Sequence, residues 1–418
     1  MPLQSTILYK NLQKRYSRRI NLDLSRIQKV LKKINSPHLD LINPINVLGS
    51  DGKMSILTSL KYFFEADKKK VNAFTSPHLY DLRHRFFLKN KFITCAQIKY
   101  FTKIVENTKI KLTLFELLTC VYILAAKKQK NISYNLIESG LLFQKDSTNL
   151  WRNPRAQIVS NINFQHKEWI NPKTLYEICR QKVGFLRNNT VIYINKQKPS
   201  TLKIIKKILK KNKSKIIYPE NWKILKVSNR FIYKDKKNYI PINTTNIFSE
   251  GLINNVGLAI KIALDFGVKK GTITKTIPKI KFEGRLNYLK TGKLRKYLHK
   301  KESLLIDGCH SIASAKNLNN YLKTIKEPIY GIWGMQKNKM PKKFIKVFEK
   351  TFKKLITITI PNEPNAISAI KLTSFSNKKK TIPAKNIYKA LEFISNKQTK
   401  TIVVFGSLYL VGDVLSKN

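Results

Sequence analysis

Two periods of apolar residues take turns along this chain. Short runs rich in Val, Ile and aromatic residues are followed by longer stretches with apolar residues at helical spacing. The short runs predict strands over 45–48, 71–75, 132–137, 157–161, 191–194 and 216–218. The longer stretches predict helices over 54–66, 97–106, 113–127, 173–182, 200–211 and 251–266. Such alternation is the signature of an α/β layered fold with a mostly parallel central sheet. The stretch 277–284, with Pro278, breaks the rhythm and reads as a linker. A second set follows: a strand over 304–306, a helix from Ile312, a strand over 329–333 and a helix from Lys342. It continues with a strand over 356–360, a helix from Ala384, a strand over 401–405 and a last helix. We therefore expect an N-terminal domain over 1–280, a linker over 281–300, and a smaller Rossmann-like domain over 301–418. No internal repeat is visible, and Lys clusters such as 378–380 read as solvated loops.

Length and composition narrow the class. A chain of 418 residues is long enough for two cores. The longest apolar run, 114–126, contains Glu116 and Thr119 and is stopped by Lys127 and Lys128, so it is too short to span a bilayer. The N-terminal stretch lacks the apolar core of a signal peptide, and the four Cys (95, 120, 179, 309) have no paired spacing. These features predict free thiols, a cytoplasmic location and no membrane partner. The formal net charge of +57 raises nucleic-acid binding as one account. Biased composition is the other, since Lys, Ile and Asn crowd the whole chain. The second is favoured, because the basic residues are spread out, mostly Lys, and not interleaved with aromatics in any motif. No specific nucleic-acid partner is expected, although the charge would steer anionic substrates toward a cleft.

The run 47–55, Val-Leu-Gly-Ser-Asp-Gly-Lys-Met-Ser, changes the picture most. It lies between a predicted strand and a predicted helix carrying Leu57, Leu60, Phe63 and Phe64. A Gly-containing turn there lets backbone N–H groups close on a phosphate beside the helix N-terminus. Gly49, Ser50, Asp51 and Gly52 would form the cradle, Lys53 would reach the terminal phosphates, and Ser55 lies near a Mg²⁺ position. The spacing is the shorter G-x-x-G-K-x-S form, with Val47 where the longer motif has its first Gly. By itself it reads equally as a helix-capping turn. Read as a phosphate loop, it would make the N-terminal domain a P-loop ATPase type.

Further groups fall at predicted strand ends, where open α/β sheets bind ligands. Thr75–Ser76–Pro77–His78–Leu79 ends the second strand; a hydroxyl there could ligate Mg²⁺, or Pro77 could simply set a turn. Glu138 ends the third strand just before Gly140, as a metal carboxylate or a capping acid. His166 follows the fourth strand and Lys182 a helix; either alone would read as structural or surface. In the second domain Arg285 follows the linker and Asp307–Gly308–Cys309–His310 closes a strand. An Arg on phosphates and an Asp on a ribose hydroxyl would close ATP between the domains; a salt bridge and a turn are the plainer alternatives.

In order and spacing, these motifs resemble the Mur-ligase superfamily of ATP-dependent amide ligases, and within it dihydrofolate synthase/folylpolyglutamate synthase. The likeness runs from about Ile20 to the C-terminus. Asn21–Leu22–Asp23–Leu24–Ser25–Arg26 resembles the family's pteroate-binding segment, and residues 49–55 its phosphate loop G-T-N-G-K-G-S/T. Residues 75–79 match T-S-P-H-L, and 112–116 resemble its T-x-F-E helix start. Residues 138–149 cover E-x-G-L-G-G-R-x-D-x-T-N at equal length. His166 falls in a D-H-x-x-x-L segment, Lys182 in E-K-A-G, and Asp307–His310 in D-G-A-H-N. Glu363–Pro364–Asn365–Ala366 and the C-terminal Gly406–Gly412 stretch are also family-like. The departures are Leu142–Phe143–Gln144 for Gly-Gly-Arg, Gln165 for Asp, Gln181 for Glu, Asp51 for Asn, Met54 for Gly, and Ser311 for Asn.

The resemblance implies an ATP-dependent ligase that joins L-glutamate to dihydropteroate or to folate (poly)glutamates through an acyl phosphate. It implies ATP and two Mg²⁺ sites: Thr75 and Glu138 at one, His166 and a carbamylated Lys182 at the other. Catalytic residues would be Lys53, His166 and Lys182. ATP would meet Gly49–Lys53, Ser55, Asn255, Arg285, Asp307 and His310. Pteroate would meet Arg19, Ile20, Asn21, Leu22, Thr113, Leu114, Phe115, Glu116, Lys145, Asp146 and Ser147. The enzyme is expected to act as a monomer. The alternatives are another Mur-type amide ligase, an inactive copy, or a nucleic-acid-binding protein on this scaffold.

Overall fold

Runs of β-branched and aromatic residues are drawn out of water as strands, and the helices between them cover both cores. The computed structural model describes residues 4–16, 21–165, 167–228, 230–244, 247, 249–377 and 380–418. The chain divides into two compact units, Met1–Thr244 with Leu252–Ile280, and Thr245–Gly251 with Lys281–Asn418.

In the first unit the strands of the main sheet are β1 (Pro44–Leu48), β2 (Val71–Phe74), β3 (Phe86–Leu88), β4 (Lys91–Phe92), β5 (Tyr134–Glu138), β6 (Ala156–Val159), β7 (Val191–Ile194) and β8 (Lys215–Ile217). They form an eight-stranded sheet in the order β4-β3-β2-β5-β1-β6-β7-β8, parallel except for the β3–β4 hairpin and its pairing to β2. Helices α1 (Gln4–Arg15), α2 (Ser25–Lys33), α3 (Lys53–Ala66), α4 (Cys95–Glu106), α5 (Leu114–Lys127), α6 (Leu175–Val183) and α7 (Pro199–Leu209) pack around it. Helices α1, α2, α4 and α5 share one core with Phe74, Phe86 and Ile137. Helices α6 and α7 share another with Leu48, Val159 and Ile192. A separate antiparallel sheet follows, β9 (Lys223–Val227), β10 (Arg230–Lys234) and β11 (Tyr239–Ile242), then α8 (Glu250–Asp265) and α9 (Lys270–Thr276).

The second unit holds β12 (Asn287–Tyr288), β13 (Glu302–Asp307), β14 (Ile329–Trp333), β15 (Lys354–Ile358), β16 (Thr381–Ala384) and β17 (Lys400–Phe405). Their order is β12-β13-β17-β14-β15-β16, parallel apart from β12. Helices α10 (Ile312–Leu322), α11 (Pro341–Lys346), α12 (Ala369–Thr373), α13 (Ile387–Glu392) and α14 (Leu408–Lys417) complete this Rossmann-like unit.

Several expectations differ from what folds. No helix starts at Ala384: residues 381–384 pair with β15 as an edge strand, where Pro383 is tolerated. The helix begins at Ile387, because the Asn386 side chain accepts the Lys389 N–H and caps it. The division between the two units falls within the stretch 277–284, after Ile280, and Ile277 and Ile280 are buried there. Residues 287–288 extend the second sheet. Helices α1, α2 and α9, the β3–β4 hairpin and the β9–β11 sheet carry too short or too Lys-diluted an apolar pattern to stand out. Among the described residues no helix is long and apolar enough to cross a membrane. All four cysteines are free and buried.

Candidate active site

The register of three parallel strands sets the site. Strand β1 has Val47 beside Glu138 of β5 on one side and Leu48 beside Val159 of β6 on the other. The loop 49–52 therefore opens between the C-terminal ends of β5 and β6. Two of its glycines have backbone angles that side chains rarely adopt, φ +133° at Gly49 and +92° at Gly52. A Cβ at Gly49 would overlap the Ser160 hydroxyl, and one at Gly52 would lie 2.7 Å from Asn255 Oδ1. Gly52 immediately precedes α3, so the loop feeds the N–H groups of a helix N-terminus.

Three basic and amide groups gather on this loop. Lys53, the first residue of α3, aims Nζ back at the Gly49 and Ser50 carbonyls, at 3.3 and 3.5 Å. Lys182 of α6 donates Nζ to the Gly49 carbonyl at 2.9 Å and is 2% exposed. Burial, with repulsion from Lys53, pulls its pKa down to about 7; Asp146 and Asp51 oppose that shift. Asn255 of α8 is held by Asn195, whose amide donates to Asn255 Oδ1 at 2.7 Å. Ser55 is buried in the first turn of α3.

Thr75 and Glu138 sit at adjacent strand ends. The Thr75 hydroxyl donates to the His84 carbonyl at 3.0 Å, leaving oxygen lone pairs for a cation. Glu138 accepts the Ser76 N–H at 3.1 Å. His166 lies outside the described residues. Among the described residues no three His, Cys, Asp or Glu side chains form a metal-holding group. The available donors, one hydroxyl and one carboxylate beside a phosphate loop, fit Mg²⁺ completed by phosphate oxygens and water. The N-terminal turn of α3, entered directly from Gly52, presents the backbone N–H groups that suit a nucleotide phosphate.

The pteroate-assigned residues are only partly brought together. Arg19 and Ile20 lie outside the described residues. Phe115 lies against Gly140, where an added Cβ would meet its ring at 2.7 Å. Lys145 is exposed. Ser147 bonds to Thr119 at 2.9 Å. Asp146 is fully enclosed: it accepts from the Leu141 N–H at 2.6 Å and from Thr148, so it shapes its loop, while burial raises its pKa. Glu116 closes a capping box with Thr113 at the start of α5, accepting the Thr113 N–H at 2.7 Å. Leu114 is buried in the same turn. Leu142 and Phe143, which replace the family's glycines, turn into the α6–α7 core instead of the crevice.

Arg26, Asn195, Ser160 and Asn163 join these contacts without being among the expected site residues. Arg26 donates Nη2 to Glu116 at 2.8 Å and to the Asn21 carbonyl at 3.0 Å, tying the 21–26 segment to α5. Its one sequence signal is a place in the Asn21–Arg26 motif. Arg26→Ala strands a nearly buried carboxylate. It is expected to lower unfolding free energy by about 2–3 kcal/mol, a value reduced from fully buried pairs because Arg26 is partly exposed. An unchanged urea midpoint would show that the pair does not brace α5.

In the second unit, Asp307 at the end of β13 accepts the Leu286 N–H at 2.9 Å and the Cys309 N–H at 2.8 Å. Its burial raises its pKa, and the Arg285 charge opposes that. The His310 ring lies 3.0 Å from the Gly308 carbonyl. Arg285 thus lies near Asp307, and the His310 ring folds back on the turn that follows β13.

A family model for the C-terminal domain of dihydrofolate synthetase matches residues 290–417. Dihydrofolate synthetase of Saccharomyces cerevisiae is 23% identical, aligned over 95% of this chain and 97% of its own length. Dihydrofolate synthase/folylpolyglutamate synthase of Haemophilus influenzae is 26% identical over 81% of this chain and 78% of its own. A bifunctional folylpolyglutamate synthase/dihydrofolate synthase of Yersinia pestis, solved with AMPPNP and a manganese ion, superposes with a TM-score of 0.84. It is 18% identical, and the match covers 100% of this chain and 99% of that one.

Proposed function

We propose that this chain, which belongs to the dihydrofolate synthase/folylpolyglutamate synthase family of Mur ligases, uses ATP to join L-glutamate to dihydropteroate or a folate. The observation that carries the reading is the phosphate loop with two lysines turned onto the carbonyl of Gly49, one of them buried.

A bare carboxylate resists attack by an amine, because its charge repels the nucleophile and oxide leaves poorly. In the first step a carboxylate oxygen of the pteroate or folate attacks the γ-phosphorus of ATP. The bond to the β–γ bridging oxygen breaks and ADP leaves with the electron pair. In the second step the neutral amine of glutamate attacks the acyl carbon, the C–O bond to phosphate breaks, phosphate departs with the electron pair, and the nitrogen gives up a proton that ends on the phosphate or in water. Lys53 and the N–H groups of the first turn of α3 stabilise charge growing on the γ-phosphoryl and bridging oxygens. Asn255 closes the cradle at Gly52. Thr75 and Glu138 are the residues that would hold Mg²⁺, whose part is to neutralise phosphate charge. By the resemblance, Lys182 would be carbamylated and would hold a second Mg²⁺ with His166; the modification turns a cation into a carboxylate-like group. The nucleotide roles of Arg285, Asp307 and His310, the pteroate roles of residues 19–22, 113–116 and 145–147, and action as a monomer rest on the resemblance alone. A reducing, cytoplasmic location is supported by four free, buried thiols.

The test is turnover of ATP by the purified chain with dihydropteroate, with tetrahydrofolate, and with glutamate withheld. Phosphate release that needs both the pteroate or folate and glutamate supports the ligase. Release from neither acceptor, with salt-sensitive binding to oligonucleotides, would replace it with the nucleic-acid reading.

A further inference from the structure

The phosphate loop and the segment after β6 are joined by side chains as well as backbone. The N–H groups of Ser50 and Asp51 both donate to the Asn161 carbonyl, at 2.9 and 3.1 Å. The Asn163 N–H donates to Ser50 Oγ at 3.1 Å, and that hydroxyl donates to the Asn163 carbonyl at 3.3 Å. A single carboxylate oxygen, Asp51 Oδ2, then accepts from Asn163 Nδ2 at 2.6 Å and from Gln165 Nε2 at 3.1 Å. Two departures from the resembling motifs therefore meet in one hydrogen bond. Asp51 stands where that phosphate loop has Asn, and Gln165 stands where the segment after β6 has Asp.

We propose that Asp51 and Gln165 are an exchanged acid–amide pair: the carboxylate has moved onto the phosphate loop, the amide onto the facing segment, and together they position the loop for the nucleotide. One carboxylate facing one amide is complementary in either arrangement, and a charged acceptor makes the stronger bond. Two facing carboxylates repel, and their separation is too short for salt to screen the repulsion. Two amides still bond, without the help of a charge. The pair is thus a positioning device whose two halves are not independently replaceable, and a change at one demands the matching change at the other.

The proposal rests on the ATP-ligase reading, and a double-variant cycle in the full chain tests it. Affinity for ATP is measured by calorimetry, alongside kcat and KM, for D51N, Q165E and D51N/Q165E. The substitutions are isosteric; in the double variant the amide nitrogen on the phosphate loop can donate to the carboxylate on the facing segment, while the Asn163 amide, which donates to Asp51 Oδ2 in the natural chain, turns over so that its oxygen accepts from it. D51N is expected to weaken ATP about fivefold and Q165E about thirtyfold, with the double variant within about threefold of the natural chain. Losses that multiply in the double variant would overturn the pair. So would a fall in melting temperature with ATP affinity unchanged, which marks a merely structural contact. If a single variant does not fold, a double variant no better than the remaining single overturns it too. Failure of the unmodified chain to turn over ATP with dihydropteroate and glutamate sinks the ligase reading instead, while the ATP-binding cycle still judges the pair.

Discussion

Lys53→Ala is expected to leave the fold intact and to cut turnover by about 10²–10³-fold. Removing one group that stabilises transition-state charge in a water-poor site costs about 3–4 kcal/mol of barrier. The structural cost is small. Lys53 is the first residue of α3, and among the described residues its Nζ makes two long bonds to carbonyls, at 3.3 and 3.5 Å. The loss belongs in kcat more than in the KM for pteroate, because the charge Lys53 answers grows during phosphoryl transfer. Steady-state kinetics with a thermal melt checks both halves. A variant within threefold of the natural rate would remove Lys53 from the phosphate site.

Lys182→Arg is expected to abolish measurable turnover. A guanidinium does not carbamylate, stays charged, and would repel Mg²⁺ where a carboxylate-like group is needed. Lys182 is suited to modification, because the neutral amine is the form that adds carbon dioxide. Burial lowers its pKa to about 7, so much of the amine is neutral near physiological pH, and the share falls as pH drops below that value. The larger side chain also strains a site with almost no free surface, by about 1–3 kcal/mol. Lys182→Ala separates the two causes. It should fold, be equally inactive, and regain part of its rate with added propionate, which returns a carboxylate to the vacated space. Labelled bicarbonate should give a carbamate resonance in the natural chain and none in Lys182→Ala. Full activity of Lys182→Arg would take Lys182 out of the mechanism.

The two lysines differ in how legible they are. Lys53 stands in a local pattern of strand, glycine turn and helix, and a phosphate loop is built from contiguous residues, so sequence suffices to place it. Lys182 looks like any other cation in a chain with 81 Lys and Arg. Only the resemblance singles it out, and its contact with Gly49 spans 133 positions. The same contrast runs through the fold. Residues 191–194 and 329–333 form strands over the expected positions, because uninterrupted β-branched and aromatic runs have no competing periodicity. The strand at 381–384 does not announce itself, and Ala384 reads as the start of a helix, because four residues with a proline among them and only the two ends buried give too weak a β pattern.

The sequence by itself determined the alternation of strands and helices, the phosphate loop, the absence of a long apolar span, and the order of motifs that led to the family. Those are local properties: side-chain period, turn chemistry and spacing act over a few residues. The tertiary structure alone decided which groups face one another. Pairing of β1 with both β5 and β6 brings Glu138, Ser160 and Gly49 to one sheet edge. Packing of α6 carries Lys182 to the loop, and Asn195 holds Asn255 at Gly52. Arg26 engages Glu116 as a brace for α5, and Asp51 meets Gln165. Long-range pairing and burial choose these neighbours, and no short window of sequence encodes them.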